Sequence, residues 1–98
     1  MNYDRGSTWI AEIGGQRKRV LVLSNSGFAR RSSRVILAPD VEALDGEPRR
    51  AGWVGSTAHY FDVTRMTTVR LDRLLDHVGV VPGSVIKDAR RMINEATR

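Results

Sequence analysis

The chain has 98 residues, a length that predicts one domain over residues 1–98. Apolar residues make up 41% and charged residues 28%, a balance typical of a folded globular protein and not of a disordered one. The absence of cysteine excludes a disulfide framework and a thiolate metal site. No apolar run approaches the roughly 20 residues of a membrane span, and MNYDRGSTW at the N-terminus lacks the apolar segment of a signal peptide. We therefore expect a cytoplasmic protein with no membrane contact.

The basic residues are the informative part of the composition. The net charge is +5, and fourteen of the sixteen basic residues are arginines. Because the planar guanidinium group binds phosphate through two parallel hydrogen bonds, this composition favours a nucleic acid or another acidic partner. A high-GC genome, which enriches arginine in any protein, is the alternative explanation.

The first part of the chain carries three predicted strands. Residues 7–13 (STWIAEI) alternate as a strand does, and Gly14-Gly15 predicts a hairpin turn because both can take positive φ. Residues 19–24 (RVLVLS) have the composition of a strand covered on both faces, and residues 34–39 (RVILAP) predict a third strand that ends at proline. Between these two we expect a short helical turn, capped by Asn25 or by the serine after it.

The middle of the chain is harder to assign. Residues 40–52 are polar and rich in turn formers, which predicts a long loop. Residues 53–63 and residues 65–69 are predicted as further short strands, the first of them interrupted at Gly55. Residues 70–75 (RLDRLL) are predicted as a short helical turn.

The C-terminal segment is clearly helical. Pro82 suits a first turn, and the apolar residues that follow recur with the spacing of one helix face: Val85, Ile86, Ala89, Met92, Ile93 and Ala96. The other face is charged, so we expect the helix to lie on a sheet with its charges in water. The sequence therefore predicts a mostly β (α+β) fold, a small antiparallel β-barrel with a short helical insertion and a C-terminal α-helix.

The order of these segments resembles the MazF/PemK toxins of prokaryotic toxin–antitoxin systems. The likeness covers nearly the whole chain and is carried by RGSTWIAEI, KRVLVLSN, VILAP and the stretch from FDVTRMTTVRLDRLL to the proline-initiated helix. Each motif is short and degenerate, but they occur in the family's order. The resemblance implies the SH3-like barrel that these toxins share with the gyrase poison CcdB.

The resemblance also implies an activity. MazF-type toxins are homodimeric mRNA interferases, which cut single-stranded mRNA without a metal or other cofactor and are neutralised by an acidic antitoxin. In that reaction the ribose 2′-hydroxyl attacks the adjacent phosphate, which leaves a 2′,3′-cyclic phosphate and a 5′-hydroxyl. Such a site needs a base, an acid and a cation for the developing charge.

Three residues are candidates for this chemistry. Arg19 matches the family arginine and would bind the phosphate. The family threonine that partners this arginine is matched by Val41, so the adjacent Asp40 is the candidate base, with the start of a turn as its alternative role. His59 suits proton transfer by residue type, but a lone histidine in such a segment is more commonly an ordinary strand residue, so Arg19 and Asp40 are the predicted catalytic pair.

Further basic residues are candidates for binding the RNA backbone. Arg17 and Lys18 precede Arg19, and Arg30, Arg31 and Arg34 flank the next strand. If the two connections are neighbours in a barrel, they form one groove for a phosphate backbone. Two unrelated solvated loops are the alternative.

Aromatic residues and histidines allow fewer conclusions. Trp53, Tyr60 and Phe61 are candidates for stacking on bases, although aromatic residues of a small barrel commonly belong to its core. His59 and His77 have no ligand-like spacing to each other or to carboxylates, so we expect no metal site.

Two functions of other classes stay open at this point. A CcdB-like protein would poison a topoisomerase such as gyrase without cleaving anything. A catalytically silent barrel would serve only as a binding module.

Overall fold

The computed structural model describes residues 3–44, 46–55 and 59–97. In chain order, the strands and helices of these residues are β1 (Ser7–Ile13), β2 (Gln16–Val22), α1 (Ser26–Ser32), β3 (Arg34–Pro39), β4 (Trp53–Gly55), β5 (Tyr60–Asp62), β6 (Thr67–Arg70), β7 (Leu74–Val80) and α2 (Gly83–Ala96). Two 3₁₀ turns, Val63–Arg65 and Leu71–Arg73, precede β6 and β7.

The hairpin of β1 and β2 is built on the predicted two-glycine turn. Gly14 and Gly15 have φ angles of 59° and 79°, the pair of positive values that a type I′ turn requires. Because the turn holds only these two residues, pairing resumes at once, with Ile13 opposite Gln16. Strand β2 therefore begins earlier than predicted, and its basic residues belong to the ladder and not to a loop.

The main sheet is antiparallel and has the strand order β6-β3-β2-β1-β7. Strands β6 and β7 occupy opposite edges, although only the 3₁₀ turn Leu71–Arg73, about 8 Å long, joins them. A flat sheet of this order would be about 19 Å wide, so the sheet has to curl until its edges approach each other. No pairing joins β6 to β7 in the described ranges, so the predicted barrel is open. The predicted mostly-β α+β class is confirmed.

The curled sheet separates two apolar clusters. The first contains Trp9, Ala11, Val20, Val22, Ala29, Val35, Leu37 and Leu74. The second contains Leu21, Ala38, Val54, Phe61, Val63, Val85 and Ala89. Strand β2 contributes to both clusters, which confirms the prediction that it is covered on both faces.

Both helices agree with the sequence pattern. Asn25 caps α1, since its side chain accepts a hydrogen bond from the Phe28 amide at 2.8 Å. Helix α2 packs Val85 and Ala89 into the second cluster, so the predicted apolar face lies on the sheet. No described helix is long and apolar enough to cross a membrane.

Strand β7 is the main error of the sequence analysis. The predicted helical turn over residues 70–75 is only the 3₁₀ turn Leu71–Arg73, and a seven-residue strand follows it. Leu74 is the one buried residue of this edge strand, so the apolar alternation by which strands are recognised is absent. The strand predicted over residues 53–63 is divided into β4 and β5, with the break at Gly55 as predicted, and residues 56–58 lie outside the described residues.

Leu21 belongs to the second cluster and lies on the strand that is covered on both faces, which allows a stability prediction. Leu21 is 0% exposed, so we expect Leu21→Ala to lower the free energy of unfolding by about 2–5 kcal/mol through lost burial and a residual cavity. Leu44→Ala is the control, because Leu44 is 79% exposed and its truncation should change stability by no more than about 0.5 kcal/mol. Urea unfolding measures both, and equal losses would contradict the described core.

Candidate active site

The register between β2 and β3 places the two predicted catalytic residues side by side. Val20 lies opposite Pro39, and one step further the Asp40 amide donates to the Arg19 carbonyl oxygen at 2.9 Å. Directly opposed residues of antiparallel strands project to the same face of the sheet. Arg19 and Asp40 therefore share one face at the end of this strand pair.

Strand β5 brings a third polar side chain to the same place. Asp40 forms an antiparallel bridge with Phe61, and the Val41 amide donates to the Tyr60 carbonyl oxygen at 3.0 Å. His59 immediately precedes this strand, and its Nε2 lies 2.9 Å from Nη1 of Arg19.

The imidazole of His59 lies between a cation and an anion. On its other side, Nδ1 lies 3.0 Å from Oδ2 of Asp40. Three side chains from three separate chain segments thus form one hydrogen-bonded series, Arg19–His59–Asp40. The structure brings together Arg19 and Asp40, which were predicted as catalytic, and adds His59, which the sequence analysis had left as an alternative.

The three side chains differ in their access to solvent. The Asp40 side chain is only 10% exposed, and its Oδ1 accepts a second hydrogen bond from the Glu42 amide at 2.7 Å. The His59 side chain is 43% exposed. The carboxylate is therefore enclosed and held from two sides, whereas the imidazole reaches the surface.

A pocket of about 180 Å³ opens beside Arg19 and His59. Its remaining walls are largely apolar and come from five elements or their ends: Thr8, Gly55, Phe61, Val80, Val81, Pro82 and Val85. A planar apolar group could enter this pocket while an attached anion remained at the guanidinium group.

The other basic residues do not form the predicted single groove. Arg34 begins β3 and Asp40 follows its end, so about 20 Å of strand separates them. Because β2 and β3 are antiparallel, the α1 connection with Arg30 and Arg31 lies at the end of β2 opposite the glycine turn. The structure therefore does not bring this basic group together with Arg17 and Lys18.

The alternation of β2 also separates Arg17 from Lys18. Arg17 shares a face with Arg19, since the two are two residues apart on one strand, and it is exposed. Lys18 projects to the opposite face and lies across from Ala11 of the first cluster. Arg17 is thus the basic residue of β2 that lies beside Arg19 on the face of the site.

The aromatic residues mainly serve the core. Trp53 is 8% and Phe61 2% exposed, which agrees with the core alternative, and Tyr60 is partly buried with the Arg49 guanidinium 6.0 Å from its ring centre. His77 packs at 5.1 Å against Trp9 and takes no part in the site. Within residues 3–44, 46–55 and 59–97, no three His, Cys, Asp or Glu side chains gather as they would to hold a metal ion.

Comparison with known proteins identifies the fold. No protein-family model matches the sequence, and no curated protein sequence matches it. Solved structures do match. A mycobacterial endoribonuclease in complex with its cognate antitoxin has a TM-score of 0.80 and 19% identity, over 96% of this chain and 93% of that chain. The chain has the fold of the MazF toxins.

Two further structures support the same fold. MazF in the MazE–MazF complex of Deinococcus radiodurans has a TM-score of 0.80 and 15% identity, over 96% of this chain and 93% of that chain. The Mycobacterium tuberculosis toxin MazF-mt6 has a TM-score of 0.69 and 18% identity, over 93% of this chain and 95% of that chain. At these identities the likeness establishes the MazF fold, and the chemistry has to be argued from this chain's own residues.

Gly55 controls the position of His59 and leads to a stability prediction. Its φ is 139°, and a Cβ added there would lie 2.2 Å from the His59 carbonyl oxygen. We expect Gly55→Ala to lower the free energy of unfolding by about 3 kcal/mol, because strain and this collision act together. Gly14→Ala is the control, since Gly14 also has a positive φ but nothing within 4 Å; it should cost about 1 kcal/mol. Thermal unfolding compares the two variants, and equal losses would rule out the close approach at His59.

Proposed function

We propose that the protein is a metal-independent endoribonuclease that cleaves single-stranded RNA, the toxin of a type II toxin–antitoxin system. The observation that carries this proposal is the contact series Arg19–His59–Asp40 at the end of the β2–β3 pair, in a chain with the MazF fold. The structural neighbours include proteins described as endoribonucleases, which supports the same reaction class.

The residues of the site suit cleavage by the 2′-hydroxyl. Arg19 supplies a rigid cation that can hold two phosphate oxygens and stabilise the charge of the pentacoordinate transition state. His59 and Asp40 supply an imidazole and a carboxylate within reach of the same phosphate, so a proton can be removed from the ribose. These side chains supply the cation and the proton acceptor that the reaction needs.

The position of the pocket supports a proposal for the path of the RNA. We propose that the pocket beside Arg19 and His59 receives a nucleobase, because its largely apolar walls can cover a base face. Arg17 would contact the neighbouring phosphate on the same face. Lys18 and the distant group of Arg30, Arg31 and Arg34 would attract the backbone from outside the site.

An acidic antitoxin is the proposed protein partner. The structural neighbours include an endoribonuclease in complex with its cognate antitoxin and MazE–MazF complexes. The net charge of +5 suits an acidic segment, which would compete with RNA for the same basic residues. Since mRNA and antitoxin are both made in the cytoplasm, we propose that the protein acts there.

A CcdB-like topoisomerase poison is the second function to be tested. It would need a binding surface but no proton-transfer group beside an arginine. The contact series and the MazF neighbours therefore favour the endoribonuclease.

Replacing Arg19 tests the proposed activity. We expect Arg19→Ala to lower the rate of RNA cleavage by about 100-fold or more, because a transition-state cation is lost. The cost in stability should be no more than about 1 kcal/mol, since the side chain is only partly buried and belongs to neither apolar cluster. Arg19→Lys should restore little activity, because a point charge cannot hold two phosphate oxygens in fixed geometry. Gel analysis of a single-stranded RNA transcript incubated in EDTA measures the rates.

Arg17→Ala is the matched control, because it removes the same charge from the same strand face without touching His59. It should weaken RNA binding and leave the turnover of bound RNA nearly unchanged. If Arg19→Ala cleaves as fast as the parent protein, Arg19 is only a binding residue. If the parent protein cleaves no RNA, and instead inhibits gyrase, the topoisomerase alternative replaces the proposal.

The exposed edge of β7 supports the proposal of a homodimer. Leu75, Val78 and Val80 of this strand are 39%, 43% and 64% exposed. An edge strand with exposed apolar residues and unpaired backbone groups favours association, and a chain this short gains stability from it.

A charge placed on β7 tests the dimer. We expect the parent protein to sediment at twice the monomer mass at micromolar concentration, and Val78→Lys to sediment as a monomer because the cation would be buried in the interface. Leu44→Lys adds the same charge at an exposed apolar position outside the main sheet and should remain dimeric. A monomeric parent protein would refute the proposal.

A further inference from the structure

The hydrogen bonds around His59 determine which ring nitrogen carries its proton. A guanidinium group has only donors, so Nε2 of His59 has to accept in its 2.9 Å contact with Nη1 of Arg19. The hydrogen of the neutral ring is then on Nδ1, which donates to Oδ2 of Asp40 at 3.0 Å. The imidazole is thus held in the tautomer whose Nε2 lone pair points at the phosphate-binding arginine.

Asp40 is poorly placed to accept the proton from the ribose itself. Each of its carboxylate oxygens already accepts a hydrogen bond from the protein, Oδ1 from the Glu42 amide and Oδ2 from His59. Its side chain is only 10% exposed, against 43% for His59. A 2′-hydroxyl entering from solvent therefore meets the imidazole before it meets the carboxylate.

We infer that His59 is the general base of the cleavage and that Asp40 is a positioning residue which holds the imidazole in its reactive tautomer. This inference rests on the proposed endoribonuclease function, and it differs from the sequence-based expectation, in which Asp40 accepts the proton. When RNA binds, the Arg19 guanidinium exchanges its contact with Nε2 for the scissile phosphate. The freed Nε2 lone pair is then directed at the ribose beside that phosphate.

The step is balanced as a transesterification. The 2′-oxygen forms a bond to phosphorus while its proton passes to Nε2 of His59. The bond from phosphorus to the 5′-oxygen breaks, and that oxygen takes a proton from water. The products are a 2′,3′-cyclic phosphate and a 5′-hydroxyl, and the imidazolium returns its proton to the solvent. Nδ1 keeps its hydrogen throughout, and Asp40 stabilises the positive charge of the ring.

Chemical rescue distinguishes two roles for His59: a general base, or a structural residue that only links the start of β5 to the end of β3. The substrate is a synthetic single-stranded RNA that spans a cut mapped with the parent protein. We expect His59→Ala to lower kcat by about 100- to 10,000-fold, and imidazole added to the buffer to restore part of the loss. The other histidine provides the control, since the exposed His77 lies outside the site and His77→Ala should cleave at the parent rate without responding to imidazole.

The role of Asp40 has a separate readout. Asp40→Asn keeps the size of the side chain but removes the charge that stabilises the imidazolium, so we expect kcat to fall at least 10-fold with little change in KM. If His59→Ala does not fold, His59→Gln, which retains a polar side chain, provides the same comparison of kcat with the parent protein.

The outcomes distinguish this inference from the proposed function. A parent protein that cleaves no RNA refutes both. Cleavage at the parent rate by His59→Ala, with Arg19→Ala inactive, overturns the inference and leaves the endoribonuclease intact. A folded His59→Ala that imidazole does not restore, together with an Asp40→Asn that raises KM at unchanged kcat, shows that the pair only supports the RNA-binding surface and also overturns the inference.

Discussion

The backbone hydrogen bond from Asp40 to Arg19 is the constraint on which the site depends. It extends the β2–β3 ladder by one step and places a cation beside a carboxylate on one face of the sheet. The bridge from Asp40 to Phe61 then brings the start of β5 to the same place, and with it the imidazole of His59. Gly55 allows this approach, because any side chain there would collide with the His59 carbonyl oxygen. The site is therefore assembled by pairing between strands, and its precision derives from the rigidity of a sheet whose central strand is buried on both faces.

Local sequence patterns predicted the segments whose structure depends mainly on residues close to them in the sequence. Strand β1 was recognised from its alternation, the β1–β2 turn from Gly14-Gly15, and α2 from its apolar spacing, and all three are confirmed. Strand β7 was missed because it lies at an edge, where one buried residue provides no alternation to recognise. The predicted closure of the barrel was not found among the described strands. Closure requires pairing between β6 and β7, and the sequence of either strand alone does not determine whether they pair.

The same distinction explains which site residues could be predicted. Arg19 and Asp40 were predicted because the resemblance to a toxin family marked the position of an arginine and that of a threonine next to Asp40. His59 was only an alternative, since nothing in STAHYFDV distinguishes a base from an ordinary strand residue until the register of β5 is known. The predicted groove required two basic connections to be neighbours, but antiparallel pairing places successive connections at opposite ends of a strand. Residue type was therefore predictable, whereas proximity between residues distant in sequence was not.

Val41 is the position at which the proposed site departs from the family pattern. The resemblance places a threonine at this position, where an apolar side chain can neither donate nor accept a proton. In this chain the residue before it is an aspartate, and the Val41 amide donates to the carbonyl oxygen of Tyr60, the residue that follows Asp40's partner His59. The proposed proton-transfer groups thus lie at the neighbouring ends of β3 and β5, while the arginine keeps its place at the start of the apolar run of β2. Because folds position side chains without specifying them, the MazF fold accounts for the geometry of the site, and the proposed chemistry rests on the pair of Asp40 and His59.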